Sequence, residues 1–285
     1  MEALIIKKIL IFGSTGMAGH VITRYLKSIN KYEIFDAALN KLHNKTIEIN
    51  IEDKESVINL LRKIKPDIVI NCIGILIKES SEKPALAIYI NSFFPHLLAE
   101  LGVELDFKLI HLSTDCVFSG KRGGYSEDDL KDGEDHYAKT KALGEVINNK
   151  DLTFRTSIIG PEIKKNGTGL FHWFMTQKGS INGFTNVYWT GVTTLELAKV
   201  IDKAIDQDLS SLYHLVPSKN ISKYELLKLI NEIWNRNVEI LEYGEYYSDK
   251  SLINNRNDFD YKIPNYREML IELYEWMKNW DYELY

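Results

Sequence analysis

A doubly wound α/β fold built on a mostly parallel sheet is what this sequence predicts, and three observations carry the prediction. Short apolar runs alternate with helical patterns through the first 160 residues. One run, 67–74 (DIVINCIG), is apolar almost throughout, as a strand covered by helices on both faces must be. The first run, 8–13 (KILIFG), leads straight into glycines at 13, 16 and 19 and then a helical pattern.

The elements follow in order. The N-terminal stretch MEALIIKKILIFG reads as a first strand and not as a cleaved leader, because Lys7 and Lys8 interrupt it and no small-residue cleavage site follows. Residues 17–29 have helical periodicity. Residues 32–35 (YEIF) and 46–51 (TIEINI) are strands, the second alternating as though one face were exposed. A helix over 53–64 precedes the strand 67–74, a helix over 84–101 precedes the strand 108–115 (KLIHLSTD), and a helix over 136–149 precedes 152–160 (LTFRTSIIG). Right-handed crossovers would then gather the carboxyl ends of the strands along one sheet edge, where ligands of such sheets bind. Those ends are Gly13, Cys72-Ile73-Gly74, Ser113-Thr114-Asp115 and Ile159-Gly160.

After residue 160 the rhythm changes. Residues 166–194 are rich in Gly, Asn, Thr and aromatics and predict one helix, 169–177, followed by irregular connections. Helices are expected at 195–206 and 222–234, short strands at 212–216 and 237–241, and a last helix at 266–280 behind Pro264.

Composition excludes several classes of function. The 285 residues are 45% apolar and 26% charged, enough for a substantial core. The net charge is −5 and Lys and Arg are dispersed, so there is no nucleic-acid footprint. No run reaches the ~18 apolar residues of a membrane span. Cys72 and Cys116 alone make no disulfide framework, which suits a reducing, cytoplasmic setting. The seven histidines are scattered with no HExxH or similar cluster, so no catalytic metal is expected.

The glycine loop GSTGMAG (13–19) has the physics of a dinucleotide site. Glycines permit a tight turn and close backbone approach, and the following helix points its N-terminus at a pyrophosphate. No Gly-Lys-Ser/Thr follows, so it is not a phosphate loop of the NTPase kind. Gly13, Thr15, Gly16, Met17, Ala18 and Gly19 are therefore the candidate pyrophosphate contacts. Asp36, 23 residues beyond Gly13 and at the expected end of the second strand, can accept from the adenosine ribose, which leans toward NAD over NADP. Lys41 lies near, and Asp36 as a turn residue is the alternative. Asn50 and Ile51 end the third strand near the expected adenine, with Asp53 as a helix cap. Cys72, Ile73 and Gly74 would floor the nicotinamide; a Cys72–Cys116 redox pair is the other reading. The fold class is thus Rossmann-like, with residues 1–160 as the dinucleotide-binding domain and 161–285 as a smaller C-terminal substrate-binding lobe, either following the first or interleaved with it.

At the end of the strand 108–115, Ser113, Thr114 and Asp115 offer two hydroxyls and a carboxylate to a substrate. Tyr137 and Lys141 stand four apart, on one helical face. A phenol could donate a proton to a carbonyl that Thr114 polarises, with Lys141 lowering the phenol's ordinary pKa of about 10 and holding the nicotinamide ribose.

GxxGxxG after the first strand, STDCVFSG (113–120) and YAKTK (137–141), in this order, resemble the extended short-chain dehydrogenase/reductase superfamily and, more narrowly, the dTDP-4-dehydrorhamnose reductase family. STDCVFSG is similar to that family's STDYVFDG, YAKTKALGE to its YGxTKxxGE and FRTSIIG to its FRTSWVYG; the resemblance covers most of 8–160 and continues weakly through 189–201. It implies Thr114, Tyr137 and Lys141 as catalytic residues, NAD or NADP as cofactor, and hydride transfer to the C4 ketone of a nucleotide-linked 4-keto-6-deoxyhexose. Cys116 stands where the family usually has tyrosine, and Ile158 where closer members have a substrate-facing tryptophan. Both departures concern the sugar more than the reduction.

In the second half, Trp189, Lys219 and Arg256 are an aromatic and two cations suited to a nucleotide base and diphosphate, or else structural. The tyrosines 243, 246 and 247 form an interface patch or a loop packed on itself. Trp276, Trp280, Tyr282 and Tyr285 dock the last helix or support self-association as a homodimer. Two rivals share the scaffold. A sugar-nucleotide epimerase or dehydratase is one, although dehydratases carry a glutamate where Cys116 stands. A non-catalytic, cofactor-binding regulatory subunit, such as that of methionine adenosyltransferase, is the other.

Overall fold

The computed structural model describes residues 6–41, 43–280 and 282. Of the sequence expectations, the start of the N-terminal strand and the role of Tyr285 fall outside those residues.

The strands are β1 (Lys8–Phe12), β2 (Glu33–Ala38), β3 (Ile47–Glu48), β4 (Ile68–Asn71), β5 (Lys108–Ser113), β6 (Leu152–Arg155), β7 (Ser157–Ile159), β8 (Ser180–Phe184), β9 (Val187–Trp189), β10 (Gly191–Thr193), β11 (Ser211–His214), β12 (Ile221–Ser222), β13 (Glu239–Tyr243) and β14 (Ser248–Asp249). The helices are α1 (Met17–Ser28), α2 (Lys54–Ile64), α3 (Ile77–Glu82), α4 (Pro84–Ala87), α5 (Phe94–Glu104), α6 (His136–Leu143), α7 (Leu170–Met175), α8 (Thr194–Asp206), α9 (Lys223–Ile233) and α10 (Tyr266–Met277).

Seven parallel strands form the main sheet in the order β11-β6-β5-β4-β1-β2-β3. Alternation along each strand splits the core. Ile9 and Ile11 face α1, α8 and α10, whereas Leu10 and Phe12 face α2 and α5. The order reverses between β1 and β4, so the loops after those strands part to opposite sides and leave a crevice at their carboxyl ends. The second half of the chain supplies β11 to this sheet and packs α8 on α1. It also forms a three-stranded sheet, β12-β9-β14, beside the crevice.

Local chemistry sets several boundaries. Asp53 caps α2 by accepting from the Ser56 N–H, and capping boxes open α9 (Ser222 with Glu225) and α10 (Asn265 with Glu268). The helix expected at 84–101 is continuous to Glu104 but widens into a π-helical turn at Ile88–Phe93. Pro95 has no N–H for the Asn91 carbonyl, and its ring needs the space of a normal turn there. This helix also overturns one sequence expectation. Pro84–Glu104 is long enough and, at a mean hydropathy of 1.3, apolar enough to cross a membrane, yet 61% of that window is buried against the fold.

Two further expectations are corrected. The helix from 136 ends at Leu143 and not at 149, because Gly144 rests on the Asn91 carbonyl and Glu145 turns into the core. The region 166–194 is less irregular than its composition suggests and holds β8, β9 and β10. Each finds its partner far along the chain, β8 on β13 and β10 on β7, which no local pattern reveals.

Candidate active site

The glycine loop turns directly off β1. Gly13 takes a positive φ of 78°, which only glycine adopts without strain, and its N–H donates to the Ala37 carbonyl at 2.9 Å. A Cβ at Gly19 would lie 2.1 Å from the Gly13 carbonyl oxygen, so α1 approaches the loop as closely as backbone allows. Gly16 caps α1 without any side-chain bond, which leaves the first-turn N–H groups at Met17 and Ala18 open toward the crevice. Cys72 and Ile73 pack against Gly13 from the end of β4. Open helix-terminal donors and a cradle that a Cβ would fill suit a dinucleotide pyrophosphate. A Gly19→Ala substitution is expected to weaken dinucleotide binding by about tenfold and to lower stability by about 1–3 kcal/mol, read by titration calorimetry and thermal melting. Unchanged binding would mean that the loop is not the pyrophosphate cradle.

Around this loop the other candidates are scattered. Asp36 is not the last residue of its strand: β2 runs on to Ala38, and the Asp36 carboxylate points back under α1, where it accepts from Lys27 Nζ at 2.5 Å. Asn50 is exposed and its side chain holds the Glu52 N–H, while Ile51 is buried and its carbonyl takes the Tyr89 hydroxyl. Gly74 is exposed at the crevice. Thr15 is half-buried in the loop itself.

β5 delivers Ser113 and Thr114 to the same edge, both buried. Thr114 Oγ1 donates to Asp115 Oδ1 at 3.1 Å and accepts from the Cys116 N–H. Ser113 is committed to structure, since its hydroxyl donates to Glu145 Oε1 at 2.7 Å. Glu145 also receives both Nε and Nη2 of buried Arg155, at 2.8 and 2.7 Å, and Lys131 at 3.0 Å. Burial opposes the Glu145 charge, but these donors outweigh it and hold its carboxyl below the usual range. Sequence reading missed this pair, although Glu145 and Arg155 sit in two of the stretches it singled out.

α6 supplies Tyr137 and Lys141. Asp135 caps it by accepting from the Ala138 N–H at 2.7 Å, so Tyr137 lies in the first turn. Burial pushes the Tyr137 phenol up from its ordinary value, reinforced by Cys116 and Asp115, while the nearby Thr114 hydroxyl acts in the opposite sense. The expected lowering by Lys141 does not prevail, because the protein strips the phenol of water and Lys141 is engaged elsewhere. Its Nζ donates to the Leu112 carbonyl at 2.7 Å and lies 3.4 Å from His111 Nε2. Asn71 keeps its carbonyl on the Ile73 N–H and therefore turns its amide NH₂ to His111 Nδ1 at 3.2 Å. This assignment leaves the imidazole proton on Nε2, facing Lys141.

Lys141 is buried, and burial lowers its pKa from 10.5 to about 8, against the pull of Glu145. Across that window the unfolded chain holds a proton that the folded chain has released, so this residue's contribution to stability grows as pH rises from about 8 to 10.5. Denaturant unfolding at about pH 7.5 and about pH 9.5 should show a more positive pH slope of stability in the wild type than in Lys141→Met. Equal slopes would refute the depressed lysine. Burial likewise raises Cys72 and Cys116 to about 12, which leaves both thiols protonated and poorly reactive.

The second-half candidates are corrected by their surroundings. Arg256 is spent: its guanidinium holds Asp258 and the carbonyls of Ser210 and Leu212, near the amino end of β11 and so away from the crevice. Trp189 is buried against Tyr266, so no base can stack on it as it stands. What covers its ring is Lys223 Nζ at 5.0 Å. Sequence reading missed Lys223. The signal was present: the Ser222/Glu225 capping box puts this cation in the first turn of α9, where the helix dipole disfavours it.

Known proteins share this fold. Residues 7–243 match the family described as RmlD substrate binding domain. The dTDP-4-dehydrorhamnose reductase of Escherichia coli is 28% identical over 236 residues, 79% of this chain and 77% of that protein. Methionine adenosyltransferase 2 subunit beta of Xenopus laevis is 24% identical over 243 residues, 80% of this chain and 72% of that one. Among solved structures, dTDP-4-dehydrorhamnose reductase from Bacillus anthracis in complex with NADP superposes with a TM-score of 0.81 at 22% identity, covering 95% of this chain and 99% of that one.

Proposed function

Because the chain belongs to the RmlD substrate binding domain family, we propose that it is an NAD(P)H-dependent oxidoreductase that reduces the C4 ketone of a nucleotide-linked 4-keto-6-deoxyhexose. The observation that carries the reading is the placement of Thr114 at the carboxyl end of β5 near Tyr137 in the first turn of α6, beside an open glycine loop, with Lys141 one helical turn on.

The dinucleotide, when bound, supplies hydride to the carbonyl carbon. Gly13, Thr15 and residues 16–19 would hold its pyrophosphate, with Cys72, Ile73 and Gly74 beneath its nicotinamide. With the Asp36 carboxylate paired to Lys27, that residue discriminates weakly against a 2′-phosphate, and both NADH and NADPH are expected to serve.

Tyr137 is the proton donor. Its raised pKa keeps the proton in place at neutral pH, and an alkoxide forming at C4 is basic enough to take it. Thr114 steadies that oxygen and then the phenolate left behind. As negative charge develops on Tyr137, the neighbouring Lys141 is favoured as its ammonium form. The residue thereby couples its own protonation to the tyrosine's loss.

The test is a panel of dTDP-, UDP- and GDP-linked 4-ketosugars assayed for NADH and NADPH oxidation. No oxidation with any member would overturn the reductase reading. Tightly held NAD and turnover without added reductant would favour an epimerase. The regulatory-subunit reading draws on the similarity to the Xenopus subunit. It predicts a stable partner complex and no turnover.

A further inference from the structure

Two lysines outside the Thr114–Tyr137–Lys141 set flank the strand that carries Trp189, within electrostatic reach of Cys116. Lys223 follows β12 and Lys250 follows β14, the two strands that flank β9. Ser222 and Asp249, the residues before them, both pair with Tyr188 on β9. The Lys223 ammonium lies 5.0 Å over the Trp189 ring, within electrostatic reach of Asp115 and Cys116. Lys250 acts on Cys116 as well, and Cys116 in turn borders Tyr137.

Neither ammonium has a hydrogen bond or an ion pair among the described residues. Other cations are matched, Lys27 with Asp36, Lys31 with Asp202, Lys131 with Glu145 and Lys199 with Glu272. Asp115, whose charge acts on Lys223, accepts from the Thr114 hydroxyl at Oδ1. Lys223 is moreover held at the start of α9, where the helix dipole repels it, and burial lowers its pKa to about 8. A half-buried cation held against a dipole with no carboxylate bonded to it, and a second following the other strand beside β9, suit an anion of two charges.

We propose that Lys223 and Lys250 together hold the diphosphate of the nucleotide-linked sugar. This deepens the reductase reading and rests on it for the identity of the ligand.

The experiment titrates dTDP, UDP and thymidine into the protein saturated with NADP⁺, for the wild type, Lys223→Met, Lys223→Gln and Lys250→Met, with thermal melting as the folding control. Each substitution should weaken nucleoside diphosphate binding by about 10- to 100-fold and leave thymidine binding unchanged. Two results would overturn the proposal: diphosphate affinity that does not change in folded variants, or an equal loss for thymidine, which would trace the effect to packing. Absence of any diphosphate binding to the wild type would overturn it as well. The ketosugar panel separates the two claims. Lysine-dependent binding without ketosugar reduction upholds the cradle and sinks the reductase. Reduction with KM unmoved by all three substitutions sinks the cradle alone.

Discussion

Tyr137→Phe lowers kcat by about 10³-fold or more and leaves dinucleotide affinity within about twofold. The phenylalanine keeps the ring, so the packing of the first turn of α6 persists, and only the acidic proton is lost. Thr114 cannot replace it, because a hydroxyl bound to Asp115 stabilises negative charge but does not surrender a proton near neutral pH. KM for the ketosugar should change little, since the proton is needed in the transition state and not in the ground state. Steady-state kinetics and calorimetric titration of NADP⁺ measure both quantities. A variant with near wild-type turnover would remove Tyr137 from the mechanism.

Glu145→Gln is the largest expected loss of stability. Arg155 and Glu145 form a two-bond pair, 1% and 0% exposed. Removing the negative partner leaves a buried guanidinium uncompensated, which costs about 3–5 kcal/mol and lowers the melting temperature by about 10 °C. His214 offers only a ring nitrogen at 2.7 Å, and the Phe118 ring beneath the guanidinium does not restore a full charge. The double variant Glu145→Leu/Arg155→Met should recover most of the loss, because neither charge then remains to be desolvated. Glu145 has a depressed pKa, so its contribution is complete at neutral pH and fades as pH falls through that depressed value. Denaturant titrations of the wild type, Glu145→Gln and the double variant measure both effects. A Glu145→Gln protein that melts within about 2 °C of the wild type would show that the pair carries little.

The same pair shows why part of the site was hidden in the sequence. Ser113 sits next to Thr114 and looked like a second hydroxyl for the substrate, yet its proton goes to Glu145. Glu145 lies two residues past the end of α6, and Arg155 closes β6. Nothing in their spacing says that they meet, since the sheet alone brings β6 beside β5. Arg256 failed for the complementary reason. A lone cation in a sequence carries no record of Asp258 and two carbonyls waiting for it.

Determined by the sequence itself were the Rossmann-like sheet, the glycine loop and the shared face of Tyr137 and Lys141 on α6. Each rests on a short-range rule: apolar runs alternating with helical periods, glycines at a strand end, and a tyrosine and lysine four apart on one face. Decided only by the tertiary structure were the charges and their partners. Packing takes water from Tyr137 and Lys141 and moves their pKa values in opposite directions, because a phenol resists becoming an anion and an ammonium resists remaining a cation where solvent is excluded. The same packing satisfies Asp36, Arg256 and Glu145 and leaves Lys223 and Lys250 without a hydrogen bond or ion pair among the described residues, a distinction set by which strands lie side by side and not by neighbours along the chain.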